Sequence, residues 1–161
     1  MGQWIDAYSC AGVVSEEIPS RTIEAARSSG IVVASTSPRS TQSAQSVSPA
    51  RTFLVEPVFC EAGLPYAAWQ APRLRASTWA ACFRLAWFFG YSANAESIEH
   101  AKARAEAAAR RLAGLAEEHG SVFLIGHGIM TGLIARRLRL GGWFGPAIPA
   151  RRFWRFSVYE K

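Results

Sequence analysis

Two short apolar runs constrain this chain more than any other feature. Ile31-Val32-Val33-Ala34-Ser35 and Val122-Phe123-Leu124-Ile125 are brief, continuous and without polar alternation, so they read as strands buried on both faces. Each passes straight into helix-start signals. After the first, Ser37 is a good N-cap and Pro38 a good first helical residue. After the second, Gly126-His127-Gly128 ends the strand, and helical spacing resumes from Ile129 to Leu138 through Met130, Leu133 and Ile134. Alternating helices and buried strands predict an α/β fold, a three-layer α/β/α sandwich around a mostly parallel central sheet. Its 161 residues are enough for one such domain around a single core.

The other elements are read around this frame. Trp4 and Tyr8 in the opening stretch share one helical face. Pro19 and Ser20 open a helix that runs through Ile23 and Ala26 and stops near Gly30. Thr52 to Val55 reads as a second strand, followed by a loop from Phe59 to Pro65. Tyr66 to Tyr91 mixes tryptophan, phenylalanine and arginine and reads as a helical insertion or lid. The clearest helix runs from about Ala95 to His119, with Ile98, Ala101, Ala105, Ala108, Leu112 and Leu115 on one stripe, Asn94 as its cap and Gly120 as its end. Phe153 to Tyr159 is expected as a last strand at the edge of the sheet.

The formal charge of +6 is carried by arginine far more than by lysine. Guanidinium groups suit phosphate and carboxylate. Small phosphorylated ligands rank ahead of nucleic acid, since the basic residues are scattered and no nucleic-acid motif accompanies them; a merely solvated basic surface is weighed level with both. Cys10, Cys60 and Cys82 are far apart, which fits free thiols of a reducing compartment better than disulfides or a zinc site. There is no signal-peptide pattern and no apolar stretch of spanning length. The expectations are a cytoplasmic protein with no membrane partner, no cofactor and no metal.

In open α/β sheets, ligands sit beyond the carboxyl ends of the strands. Ser35 to Arg39 occupies one such end and Gly126-His127-Gly128 the other. A histidine between glycines at a strand-to-helix turn, with the amides of a helix start beside it, suits an anion. The competing reading is that His127 fills a turn and the glycines serve backbone geometry. Surface roles for Arg39 and Glu61 compete in the same way.

Read together, the segments resemble the histidine-phosphatase (phosphoglycerate-mutase-like) superfamily. Ser35 to Ala44 looks like its Ser-x-x-x-Arg-Ala-x-x-Thr/Ser-Ala stretch. Phe59 to Pro65 is similar to its segment bearing an acidic residue, and Val122 to Ile134 to its second-histidine strand, turn and helix. The resemblance covers most of the chain from Ile31 onward. It implies phosphoryl transfer through a phosphohistidine, with Arg39 as the second arginine, His127 as the second histidine, Gly128 beside them in substrate binding, and Glu61 as proton donor. The family's nucleophilic histidine belongs to an Arg-His-Gly motif after its first strand, and no such motif occurs here. His100, His119 and His127 are the histidines, and neither of the first two sits at a strand end. The resemblance therefore implies an N-terminally truncated or degenerate domain, inactive or nearly so, related to phosphomonoester and phosphoprotein phosphatases. The alternative is a non-catalytic anion-binding domain. Loss of a central strand would leave backbone groups unpaired in the sheet unless strands close up or a second copy pairs there as a homodimer.

Overall fold

A computed structural model describes residues 2–13, 17–67 and 75–161. The order is α1 (Gly2–Cys10), α2 (Ser20–Ser28), β1 (Ile31–Ala34), α3 (Pro38–Val47), β2 (Leu54–Val55), a 3-10 turn (Pro57–Phe59), α4 (Ala76–Phe88), α5 (Ile98–His119), β3 (Val122–Ile125) and α6 (Gly128–Leu140). The protein is α/β, with a small three-stranded parallel sheet in the order β2-β1-β3. Ile31 pairs with Val122 and Ala34 with Ile125, so β1 and β3 finish level. β1 is the central strand because Val32, Val33 and Ala34 are apolar on both sides and all are buried.

Val33 belongs to the main core with Leu112 and Leu115 of α5, Met130 and Ile134 of α6, Phe59 and Trp87. Val32 and Ala34 pack instead with Ala44 of α3, alongside Phe53, Phe123 and Ile125. The α5 stripe is as expected, and its many alanines let α6 approach closely along it. Helix α5 ends at Gly120, whose φ of 79° suits glycine. Gly30, just before β1, lies so close to the His119 carbonyl oxygen that a Cβ there would sit 1.8 Å from it. His119 is therefore at the amino end of β1, away from His127.

Three expectations are corrected. Ser97, not Asn94, caps α5, accepting the His100 N–H at 3.2 Å; Asn94 takes a left-handed φ of 61° and donates its amide to the Tyr66 carbonyl. The second strand shrinks to Leu54–Val55. Phe153 to Tyr159 forms no strand; one antiparallel bridge joins Phe144 to Glu160. β1 and β3 are direct neighbours, with no gap between them, and the outer edges of β2 and β3 have no strand partner among the described residues. The insertion expected over Tyr66 to Tyr91 is α4 over part of its length, while residues 68–74 lie outside the described residues. Among the described residues, no helix is long and apolar enough to cross a membrane.

Candidate functional site at the carboxyl ends of the strands

Because β1 and β3 end level, the residues that follow them meet. Ser35 Oγ and His127 Nε2 are 2.7 Å apart. Ser35 is fully buried. Its Oγ accepts the Ser37 N–H at 3.2 Å, and its own N–H donates to Ser40 Oγ at 2.9 Å. Ser40 Oγ in turn donates to the Ile125 carbonyl at 2.6 Å, tying α3 to the end of β3. A buried hydroxyl needs an acceptor for its proton, and His127 Nε2 is the acceptor that this network supplies. The network thus assigns His127 to the neutral tautomer with its proton on Nδ1. Burial lowers the His127 pKa below its ordinary value; the nearby Glu61 carboxylate pulls the other way, and Arg39 and Arg104 add to the lowering.

Gly126 is required by close approach, since a Cβ there would lie 2.5 Å from Thr131 Oγ1. Gly128 has no such constraint; its nearest neighbour would be Glu61 Oε2 at 4.0 Å. Glu61 reaches this turn from the loop after the 3-10 helix. Its carboxylate accepts the N–H groups of Met130 at 2.9 Å and Ile129 at 3.2 Å, and that of Ala62 at 2.9 Å. Glu61 therefore caps α6, where anionic side chains are stabilising. The amides expected to be open to an incoming anion are in part already occupied. Service as a proton donor would require protonating an oxygen that accepts N–H groups here.

Arg39 lies in the first turn of α3, as expected, but it is engaged. Its guanidinium carbon sits 4.2 Å from the centre of the Tyr8 ring, and Nη1 donates to the Tyr8 carbonyl. Tyr8 stacks on Trp4, with ring centres 5.5 Å apart, so the aromatic pair one helical turn apart in α1 forms a plate for Arg39. Gln42, one turn further along α3, accepts the Val13 N–H at 2.9 Å. Sequence reasoning missed Ser35 and Tyr8 as partners of the site.

Several other arginines support backbone rather than ligand. Arg104 donates to the carbonyls of Val58, Cys60 and Glu61 and pairs with Glu96. Arg84 donates to Ala62 and Gly63. Together they hold the Glu61 loop in place. A cavity of about 140 Å³ lined by Lys102, Leu133, Arg136, Arg137 and Leu140 lies apart from these residues. Among the described residues, no cluster of three or more His, Cys, Asp or Glu side chains is arranged to hold a metal ion.

No family model matches the chain, and no curated protein or solved structure is significantly similar to it.

Proposed function

We propose that this chain is a phosphate-recognising domain of the histidine-phosphatase type, built as a three-layer sandwich, and that residues 1–161 do not by themselves turn over phosphomonoesters. The observation that carries the reading is the meeting of Ser35 and His127, from segments ninety-two positions apart, at the carboxyl ends of adjacent parallel strands. Arg39, Glu61 and Gly128 lie around the same ends and follow one another along the chain in the order of the family segments they resemble. His127 supplies a neutral Nδ1–H donor, Arg39 a forked cation, and the first turn of α6 its amides. A nucleophile is the missing part: His119 lies at the opposite end of β1, and His100 is exposed in the first turn of α5. Hydrolysis of a phosphomonoester or phosphoprotein belongs to a complete form of such a site.

The test has two arms. Inorganic phosphate should raise the melting temperature beyond what chloride does at matched ionic strength, by mass action on the folded state. The rise should vanish in Arg39→Ala and His127→Gln. An aryl phosphate should not be hydrolysed. Turnover that disappears in His127→Ala would overturn the claim of inactivity, and the absence of any shift at millimolar phosphate would overturn the site itself. A homodimer paired along the open edge of β3 belongs to the same reading, and sedimentation equilibrium of the whole chain checks it.

A further inference from the structure

From His119 to Tyr159 the chain contains no aspartate or glutamate, yet it carries Arg136, Arg137, Arg139, Arg151, Arg152 and Arg155. All of these but Arg137 are exposed, and Arg137 is the one that an ion pair engages, with Glu106 at 3.8 Å. The same stretch holds large apolar side chains in water: Phe153 at 81% exposure, Phe144 at 80%, Leu140 at 71%, Ile148 at 69% and Val158 at 55%. Scattered exposed apolar residues need no explanation, but this many in nineteen residues, rimmed by arginine, do.

The segment is held in shape. Phe144 and Glu160 exchange backbone hydrogen bonds, Tyr159 Oη donates to the Pro146 carbonyl at 2.8 Å, and the Ala150 N–H donates to Ser157 Oγ at 2.9 Å. These contacts close a loop whose tip reads Arg151-Arg152-Phe153-Trp154-Arg155-Phe156. The base of the tip is pinned to α2: Thr22 Oγ1 donates to the Trp154 carbonyl at 2.7 Å, and Arg21 stacks on Phe156. Trp154 is forced to a φ of 58°, a left-handed conformation that costs free energy in a residue with a bulky side chain. The bend leaves Phe153 out in solvent between two arginines and a third.

We propose that this loop docks on an anionic lipid surface. Guanidinium groups that have no carboxylate partner among the described residues complement lipid phosphates and acidic headgroups. The exposed phenylalanine and the exposed aliphatic side chains of Ile148 and Val158 in this loop fit the acyl boundary. The aliphatic members decide against single-stranded nucleic acid, which needs flat rings for its bases to stack on. Surface docking needs no spanning helix, and it does not depend on the phosphate site.

The experiment is co-sedimentation of the whole chain with phosphatidylcholine vesicles, with and without phosphatidylserine. The expected result is binding only when phosphatidylserine is present, weakened by salt. Arg151→Ala/Arg152→Ala should weaken it about thirtyfold, which is about 1 kcal/mol of surface attraction for each arginine removed, and Phe153→Ser should weaken it at unchanged net charge. These side chains are exposed, so melting temperatures should match that of the parent chain. Failure to sediment at low salt would overturn the proposal, as would binding indifferent to the variants. So would a short single-stranded RNA that binds through the same residues while vesicles do not. A stable dimer that Phe153→Ser dissociates would assign the surface to a second copy and also overturn it.

Discussion

Glu61 offers a sharp test, because its two readings differ in stability. As the α6 cap its carboxylate accepts three N–H groups, from Ala62, Ile129 and Met130. Glu61→Ala removes all three acceptors and leaves the first turn of α6 unpaired above a fully buried Met130 side chain. Loss of an N-cap costs about 0.5–2 kcal/mol, and a hydrogen bond to a charged group contributes about 1.5–3 kcal/mol. These figures describe the same contact and are not summed. About 2 kcal/mol is the expected loss, which for a chain of this length lowers Tm by about 4–8 °C. Glu61→Gln keeps one acceptor oxygen without the charge and should fall between. Thermal unfolding followed by circular dichroism at neutral pH measures it. A solvated Glu61 would leave Tm within about 1 °C of the parent value, and that result would refute the capping argument.

Three further outcomes follow from single contacts. Burial places the His127 pKa below its ordinary value of about 6.5, so between the two values the unfolded chain binds more protons than the folded one. Stability tied to His127 is therefore present above about pH 6.5 and lost as pH falls toward and through the folded value; the pH dependence of chemical unfolding should flatten in His127→Gln. The ¹⁵N spectrum of the His127 ring should show an unprotonated Nε2 at neutral pH, and Ser35→Ala should abolish that single tautomer; a protonated Nε2 in the parent chain would contradict the hydroxyl network. Arg51 gathers the carbonyls of Ala26, Arg27, Ser29 and Gly30 at the end of α2, so Arg51→Ala should cost about 1.5–3 kcal/mol in chemical denaturation. Arg51→Lys should recover little of it, because an ammonium lacks the fork that spans those carbonyls.

The buried strands were legible because their apolar runs admit no solvent face, and β1 and β3 fall where those runs stand. Short-range chemistry was less decisive. Asn94 and Ser97 are both good caps in isolation; Asn94 was lost to a left-handed turn and Ser97 took the role. Phe153 to Tyr159 has the aromatic content of a strand, but Trp154 turns the chain, and only Glu160 reaches a ladder partner. The positions of His127 and Arg39 at strand ends followed from the strands themselves. Their partners did not. Ser35, Tyr8 and the Glu61 cap depend on contacts between segments remote in sequence, which no local spacing encodes.

Two of the groups assigned to phosphate already have partners in this structure: Arg39 has Tyr8, and two amides of α6 have Glu61. An anion must therefore displace an internal contact, and its affinity is the difference between the two. Tyr8→Ala frees Arg39 from a partly exposed cation–π contact of about 0.5–1 kcal/mol and should tighten phosphate binding about threefold. Glu61→Ala vacates the helix start and should tighten it as well, even as it destabilises the fold. If one phosphate touches both Arg39 and α6, each variant strengthens the same complex, and the double variant should gain close to the sum of the two free energies. If the anion sits on α6 alone, Tyr8→Ala changes nothing in calorimetric titration with inorganic phosphate, and Arg39 belongs to the docking of α1 rather than to the site.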